Sequence, residues 1–507
     1  MYLGFDLGTT NVKAVVMDDR RRVVATGSAP VDRFLTPDGG IEQDIEQIWD
    51  ATCDVVRQIG RQLDTGAIRS VGVSSQGGAL QLLDAQQQPM GRVISWLDGR
   101  GRPFDQKIMR ELGGDFFASH IGCHSSTMTI GQLLRLRAEL PEVVAAADSI
   151  GFVGDVMVGR LCGRRAHDPT SLAIGMLYNP WLGRADPELL VRLQIREDQL
   201  AALLPATTPA GGLTEEASRR TGLRRGIPVS PAIHDQYAVS LGAGAVHEGD
   251  VTFGAGTAWV LLAIGTRLKP PVTPNAFVCP HPVSGLYGQM LSMRNGGAAI
   301  QWMLGILGRG AASTDAVDRW LAESPPGSQG LCFWPLLAAS AGTDGDEALG
   351  ACQPGGRIAG ITLSHGPSHL LRAVVEGLAC ELARHLTLLV EAGIPVRRLT
   401  MCGRAAASRQ TPQIIADVTG QPVVCIEAFD TSALGAAVVA QALVEKDADL
   451  AQLADQCPSI TATFHPGPDR DGYQRLLERY LQPFAAEHGR TVPFDTPERQ
   501  TIPHSPP

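Results

Sequence analysis

The feature that most limits how this chain can fold occurs twice. Near the start, a strand pattern at Tyr2–Leu7 runs into Gly8-Thr9-Thr10 and continues at once into a second strand pattern, Val12–Met17. At the start of the second half, Asp250–Gly254 runs into Ala255-Gly256-Thr257 and turns back into Trp259–Ile264. Apolar stretches on both sides of a short Gly/Thr turn form a hairpin. Hairpins of the same chemistry opening both halves point to an internal repeat.

Around these hairpins, strands and helices alternate. Helix spacing of Ile45, Ile48, Trp49, Cys53, Val56, Ile59 and Leu63 predicts a helix over 42–63, and further helices are expected at about 297–308, 367–392, 408–419 and 432–445. Strands are expected at Val23–Ser28, Ser70–Ser74, Leu80–Asp84, Val229–Ile233, Leu399–Cys402 and Val423–Ile426. Alternation of this kind defines the α/β class. Residues 102–226, with short helices and loops rich in Pro and Gly, read as an insertion over one end of a sheet. The 507 residues suffice for two large domains or three ordinary ones, at about 100–200 residues per domain. After about residue 486 the sequence is polar and Pro-rich, and a frayed tail is expected.

Composition removes several function classes. A formal net charge of −9 argues against a protein held to nucleic acid by its general field. No apolar run approaches the ~18 residues of a membrane span, and the chain starts directly in a strand without a signal-like segment, so a cytoplasmic protein is expected. The ten cysteines are scattered singly with no C-x-x-C pair, the pattern of reduced core thiols and not of a zinc site.

The first turn carries chemistry. Gly8 lets backbone N–H groups approach an anion, Thr9 and Thr10 add hydroxyls, Lys13 adds a point charge, and Asp6 is placed to hold Mg²⁺ through water. A plain hairpin explains the same tripeptide, but the second turn, Gly254-Ala255-Gly256-Thr257, makes a two-sided phosphate clamp the stronger reading. There is no G-x-x-x-x-G-K-[ST], and no helix follows either turn, so this is not a P-loop. Asp235 follows the Val229–Ile233 strand and starts an Ala/Gly-rich helix. On residues alone it is either an N-cap or a carboxylate poised in a cleft as a general base.

These elements, in this order, resemble the FGGY family of carbohydrate kinases within the actin-like ATPase superfold, over about residues 1–485. Asp6-x-Gly8-Thr9-Thr10 with Lys13 is similar to that family's first phosphate loop. Gly72-Val73-Ser74-Ser75-Gln76 followed by Leu82-Leu83-Asp84 is similar to its sugar-binding strand, and Trp96-Leu97-Asp98-Gly99-Arg100 resembles its Trp-x-Asp-x-Arg element. Gly297-Ala298-Ala299-Ile300-Gln301-Trp302 and Ala433-Leu434-Gly435-Ala436-Ala437 resemble two further elements around the nucleotide. The resemblance implies a two-domain actin-like (ribonuclease H-like) fold, with domains at 1–244 and 245–485 and a catalytic cleft between them. It implies transfer of the γ-phosphate of ATP, with Mg²⁺, to a small sugar or polyol, a ketopentose such as xylulose being the best match. Asp235 would be the base and a metal partner beside Asp6. Gln76, Gly77, Gly78, Asp98 and Gln236 would line the sugar site. Thr9, Thr10, Lys13, Gly254, Ala255, Gly256, Thr257, Gly297, Gln301, Gly403, Arg404 and Ser408 would hold the nucleotide. His234 reads as structural, and homodimers are common in the family.

The chain also departs from the family pattern. Xylulose kinases carry Gln-Met-His-Gly where this chain has Gln76-Gly77-Gly78-Ala79, so the pocket floor is either wider or filled from elsewhere. Asp98 and Arg100 either line the pocket mouth or tie the first domain together. Where relatives have a glycine run near the base, this chain has Met401-Cys402-Gly403-Arg404-Ala405. An arginine there is strained if positive φ is required, or else stacks on a purine face. Ala339-Ser340-Ala341-Gly342-Thr343-Asp344 replaces a Gly-Glu-Arg-x-Pro loop, and Gln132 and Arg135 replace a Lys-x-x-Trp pair. These departures favour, as the rival reading, a catalytically impaired sugar-binding regulator on the same scaffold.

Overall fold

The computed structural model describes residues 1–293, 295–310, 312–337, 356–427, 430–445, 448–457 and 460–484. The 339–344 loop and the 486–507 tail lie outside the described residues. Among the described residues no helix is long and apolar enough to cross a membrane.

The first half is organised by β1 (Tyr2–Leu7), β2 (Asn11–Met17), β3 (Val23–Pro30), α1 (Ile45–Gly60), β4 (Ser70–Ser75), α2 (Val153–Cys162), β5 (Pro228–His234) and α3 (Asp235–Gly242). β1, β2 and β3 form an antiparallel meander, and β4 and β5 join β1 in parallel, giving the order β3-β2-β1-β4-β5. The second half repeats the plan with β6 (Asp250–Ala255), β7 (Trp259–Gly265), β8 (Tyr287–Ser292), α4 (Gly297–Ile306), α5 (Thr314–Ala322), α6 (Pro367–Glu391), β9 (Arg398–Cys402), α7 (Gln410–Thr419), β10 (Val423–Ile426) and α8 (Thr431–Ala442). Its order is β8-β7-β6-β9-β10, with β9 and β10 parallel to β6. The repeat expected from the two turns therefore extends through five strands of each half.

Burial follows this topology. β3, near the open side, alternates buried and exposed residues, whereas β4 is buried throughout because helices cover both of its faces. α1 covers one side with Ile45, Ile48, Trp49, Val55, Val56 and Ile59, and Asp44 caps it by accepting the Glu46 N–H. The opposite side is covered by α8, which comes from the second half. Glycines make this crossing close. A Cβ on Gly4 or Gly72 would overlap the backbone carbonyls of Ala433 and Ala436, and one on Gly435 would overlap that of Ala238 in α3. Ser70 Oγ donates to Ala440 O at 2.5 Å along the same seam. The Ala433–Ala437 stretch thus packs closely between β1, β4 and α3.

The expected 102–226 insertion contains short helices, but 153–162 within it packs on the first sheet; the strand expected after it is observed as β5. Phe117, Ile130, Leu133, Phe152 and Leu177 centre a satellite core, whereas Ala166, Ala210, Leu213, Ala217 and Leu223 join the core of the first sheet.

Candidate active site

The β1–β2 turn closes on itself through the Gly8 N–H to Asn11 O bond, 3.1 Å. Among the described residues, the backbone N–H groups of Thr9 and Thr10 have no acceptor, nor do those of Gly256 and Thr257 in the equivalent turn of the second half. Two turns of unspent N–H groups, one from each half, suit an anion. The space a Cβ would take on Gly254 is open, and its nearest atom is Gln236 Oε1 at 4.0 Å. Gln236 therefore reaches from the first half toward the second turn.

Asp235 is the first residue of α3. The cap position belongs to His234, and no side-chain cap bond forms. The capping alternative for Asp235 is thereby removed. Its side chain is 31% exposed, and His234 Nε2 lies 3.3 Å from its Oδ1. Asp6, on β1, accepts a hydrogen bond from Ser432 Oγ at 3.0 Å. Burial, then the Asp430 and Asp235 carboxylates, push the Asp6 carboxyl well above the usual range, against the pull of Lys13. Asp6 and Asp235 thus feel each other's charge. Among the described residues no three His, Cys, Asp or Glu side chains stand close enough to enclose a metal. This set suits an ion that keeps waters and phosphate ligands, as Mg²⁺ does.

Lys13 is not left free. Its Nζ donates to Asp430 Oδ2 at 2.6 Å, and Asp430 also caps α8 through the Ala433 N–H. Burial works to lower the Lys13 pKa, but the Asp430 charge and hydrogen bond outweigh it and the net shift is upward. Asp430 was missed in the sequence. It lies 417 residues from Lys13, and its only local signal is a cap residue ahead of an apolar helix.

The sugar-side residues take more varied roles. Gln76 is buried, and its amide is spent on Thr9 and Gln43. Gly77 must be glycine here: a Cβ would stand 2.7 Å from His234 Cδ2 and would overlap Ile174. Gly78 has φ 69°, and a Cβ on it would stand 3.0 Å from Met128 Sδ. The floor left bare by the two glycines is therefore filled by His234, Ile174 and Met128. Asp98 is corrected to a tie. Its oxygens accept from Arg100 Nε and Nη2, Ile41 N–H and Gln132 Nε2, and Arg135 Nε in turn donates to Gln132 Oε1. Gln132 and Arg135 thus complete that network.

At the nucleotide side, Gly297 N–H donates to Gly256 O at 2.9 Å, so Gly297 braces the second turn from behind. Gln301 is exposed on α4. Gly403 has φ 89°, and a Cβ there would lie 3.3 Å from the Ala255 backbone. Arg404 opens a 3-10 turn without positive φ and is exposed, so the strain alternative does not arise. Ser408 is corrected: it is buried, its hydroxyl donates to Asp318 Oδ1 at 2.5 Å, and it is turned into α5 and not toward a ligand.

His234 is held from behind. Its N–H donates to Thr170 Oγ1, which donates to Asp168 Oδ1 at 2.5 Å; Asp168 Oδ2 has no partner among the described residues. Burial pushes the Asp168 carboxyl up to about 7. Its folded value lies above its unfolded one, so its contribution to stability is full below the unfolded value and is lost as pH rises through about 7. Asp168→Asn keeps the acceptor and cannot ionise. Its stability relative to the parent should rise by about 2 kcal/mol between pH 5 and pH 8 in denaturant unfolding. A difference independent of pH would refute this account.

Two halves of the same strand order, each opening on a Gly/Thr turn between its first two strands, have the actin-like ATPase fold. Residues 1–242 match the FGGY family of carbohydrate kinases, N-terminal domain, and residues 252–443 match that family's C-terminal domain. The chain belongs to the FGGY family of carbohydrate kinases, phosphotransferases with an alcohol group as acceptor. It is 26% identical to a xylulose kinase of Escherichia coli over 501 residues, 95% of this chain and 99% of that one. It is 30% identical to a glycerol kinase of Gloeobacter violaceus over 454 residues, 86% of this chain and 87% of that one. Among solved structures, a xylulose kinase from Rhodospirillum rubrum superposes with a TM-score of 0.87 at 25% identity, covering 96% of this chain and 99% of that one.

Proposed function

We propose that this protein transfers the γ-phosphate of ATP to a hydroxyl of a small sugar or polyol, with a ketopentose such as xylulose as the favoured acceptor and Asp235 as general base. The observation that carries this reading is the position of Asp235 and Gln236 at the head of α3. Asp235 acts electrostatically on Asp6 in the first half, while Gln236 approaches the Gly254 turn of the second. A hydroxyl placed against Asp235 would lie where both halves meet. Phosphoryl transfer asks a protein mainly for positioning, charge stabilisation and a proton acceptor. Mg²⁺ near Asp6 and Asp235 would neutralise charge on the transferring phosphoryl group. The N–H groups of the two turns and Lys13 would orient the phosphates. Closure of the halves would exclude water and limit hydrolysis.

Full similarity in length to a xylulose kinase supports the ketopentose, although Gly77 and Gly78 give the acceptor a floor built from other side chains. The regulator reading rested on Arg404 and the altered 339–344 loop. Arg404 sits unstrained, which removes its first support. A coupled ADP-release screen with MgATP against ketopentoses, other ketoses, glycerol and longer polyols tests the proposal. Acceptor-dependent ADP release is expected, greatest with a ketopentose. Binding of an acceptor in calorimetry without any ADP release would favour the regulator.

A further inference from the structure

The phosphate turn of the first half is held by side chains from the acceptor side. Thr9 Oγ1 donates to Gln76 Oε1, Gln76 Nε2 donates to Gln43 Oε1, and Gln43 Nε2 donates to the Thr9 carbonyl, each at 3.0 Å. The three bonds close a ring that begins and ends on Thr9. The ring also orders both amides: each oxygen accepts and each nitrogen donates. A fourth bond enters from outside, Trp96 Nε1 to Thr9 Oγ1 at 3.0 Å. Gln43 and Gln76 are buried, whereas Trp96 is 43% exposed. A buried ring of polar groups is stiff because breaking any member leaves another unsatisfied. Among the described residues Trp96 is the ring's exposed contact, so a molecule resting on that indole would bear on the ring.

We propose that Thr9 is a positioning residue that couples the acceptor side to the phosphate turn, with Trp96 as the input and the Gln76–Gln43 ring as the frame. This rests on the kinase reading above. The Thr9 hydroxyl does not itself face phosphate, because its proton is spent on Gln76 and it already accepts from Trp96. Its work is to fix the turn so that the Thr9 and Thr10 N–H groups point at the anion. The coupling is reciprocal: whatever steadies the indole tightens the turn, and nucleotide steadies the indole in return.

The test uses the full-length protein and MgATP alone as probe. Trp96→Phe keeps the ring and deletes the N–H at an exposed position where folding is not at stake. It should weaken MgATP binding in calorimetry by about threefold to tenfold, the loss of one hydrogen bond from an ordered site. Thr9→Val should do the same, and Thr9→Ser should restore affinity to the parental value. In the ADP-release assay, Trp96→Phe should raise the KM for MgATP more than the KM for acceptor. Parental MgATP affinity in Trp96→Phe, or a rise confined to the acceptor KM, would overturn the coupling while leaving the kinase reading intact. Failure of the parent protein itself to bind MgATP would overturn both.

Discussion

Asp235→Asn is expected to lower kcat for ADP release by about a hundredfold to ten-thousandfold, while MgATP affinity stays near the parental value. The side chain is partly exposed at the head of α3, makes no cap bond, and has His234 Nε2 as a neighbour at 3.3 Å. Among the described residues its charge meets only His234 beside it and the Asp6 carboxyl, and no side-chain hydrogen bond of the fold ends on it. Asparagine keeps the shape and the start of the helix but cannot take a proton from an attacking hydroxyl. The clean result is lost turnover with unchanged unfolding temperature and unchanged MgATP binding in calorimetry. Turnover within a few-fold of the parent would remove Asp235 from the base role.

Gly72→Ala is expected to have the largest effect on stability. The added methyl would overlap the Ala436 carbonyl of α8, a backbone atom inside a helix that cannot turn aside. Overfilling a packed core usually costs about 1–3 kcal/mol, and a clash with fixed backbone belongs at or above the top of that range. Total stability of about 5–15 kcal/mol leaves little margin, so the variant should show a depressed unfolding temperature or accumulate as aggregate. Gly305→Ala is the control. It lies in α4 with nothing within 4 Å of its Cβ position and should gain up to about 1 kcal/mol from helix propensity. Equal melting temperatures for Gly72→Ala and the parent would mean that α8 does not press on β4 as closely as described.

These two positions show how far a sequence can be read. The place of Asp235 at the head of a helix was legible because a strand, a carboxylate and a small-residue helix are adjacent in the chain. Gly72 was legible only as part of a strand. Its close approach to α8 involves a residue more than 360 positions away, and no local pattern marks it. The same division separates the two corrections at the site. Asp98 and Ser408 are polar residues beside motif elements, and their neighbours in sequence suggested ligand contacts. Arg100 and Gln132 in one case, and Asp318 in the other, claim their oxygens instead. Buried polar atoms must be paired, and the fold supplied partners before any ligand could.

The amino-acid sequence by itself determined the two turn-bearing hairpins, the α/β alternation, the family and the place of Asp235. All of these are carried by local periodicity, turn chemistry and short spacings, which act within a few residues. The tertiary structure alone decided that Lys13 meets Asp430, that His234 fills the space over Gly77, and that Thr9 closes a ring with Gln76 and Gln43. Those pairings join segments that only sheet order and helix packing bring within hydrogen-bonding distance.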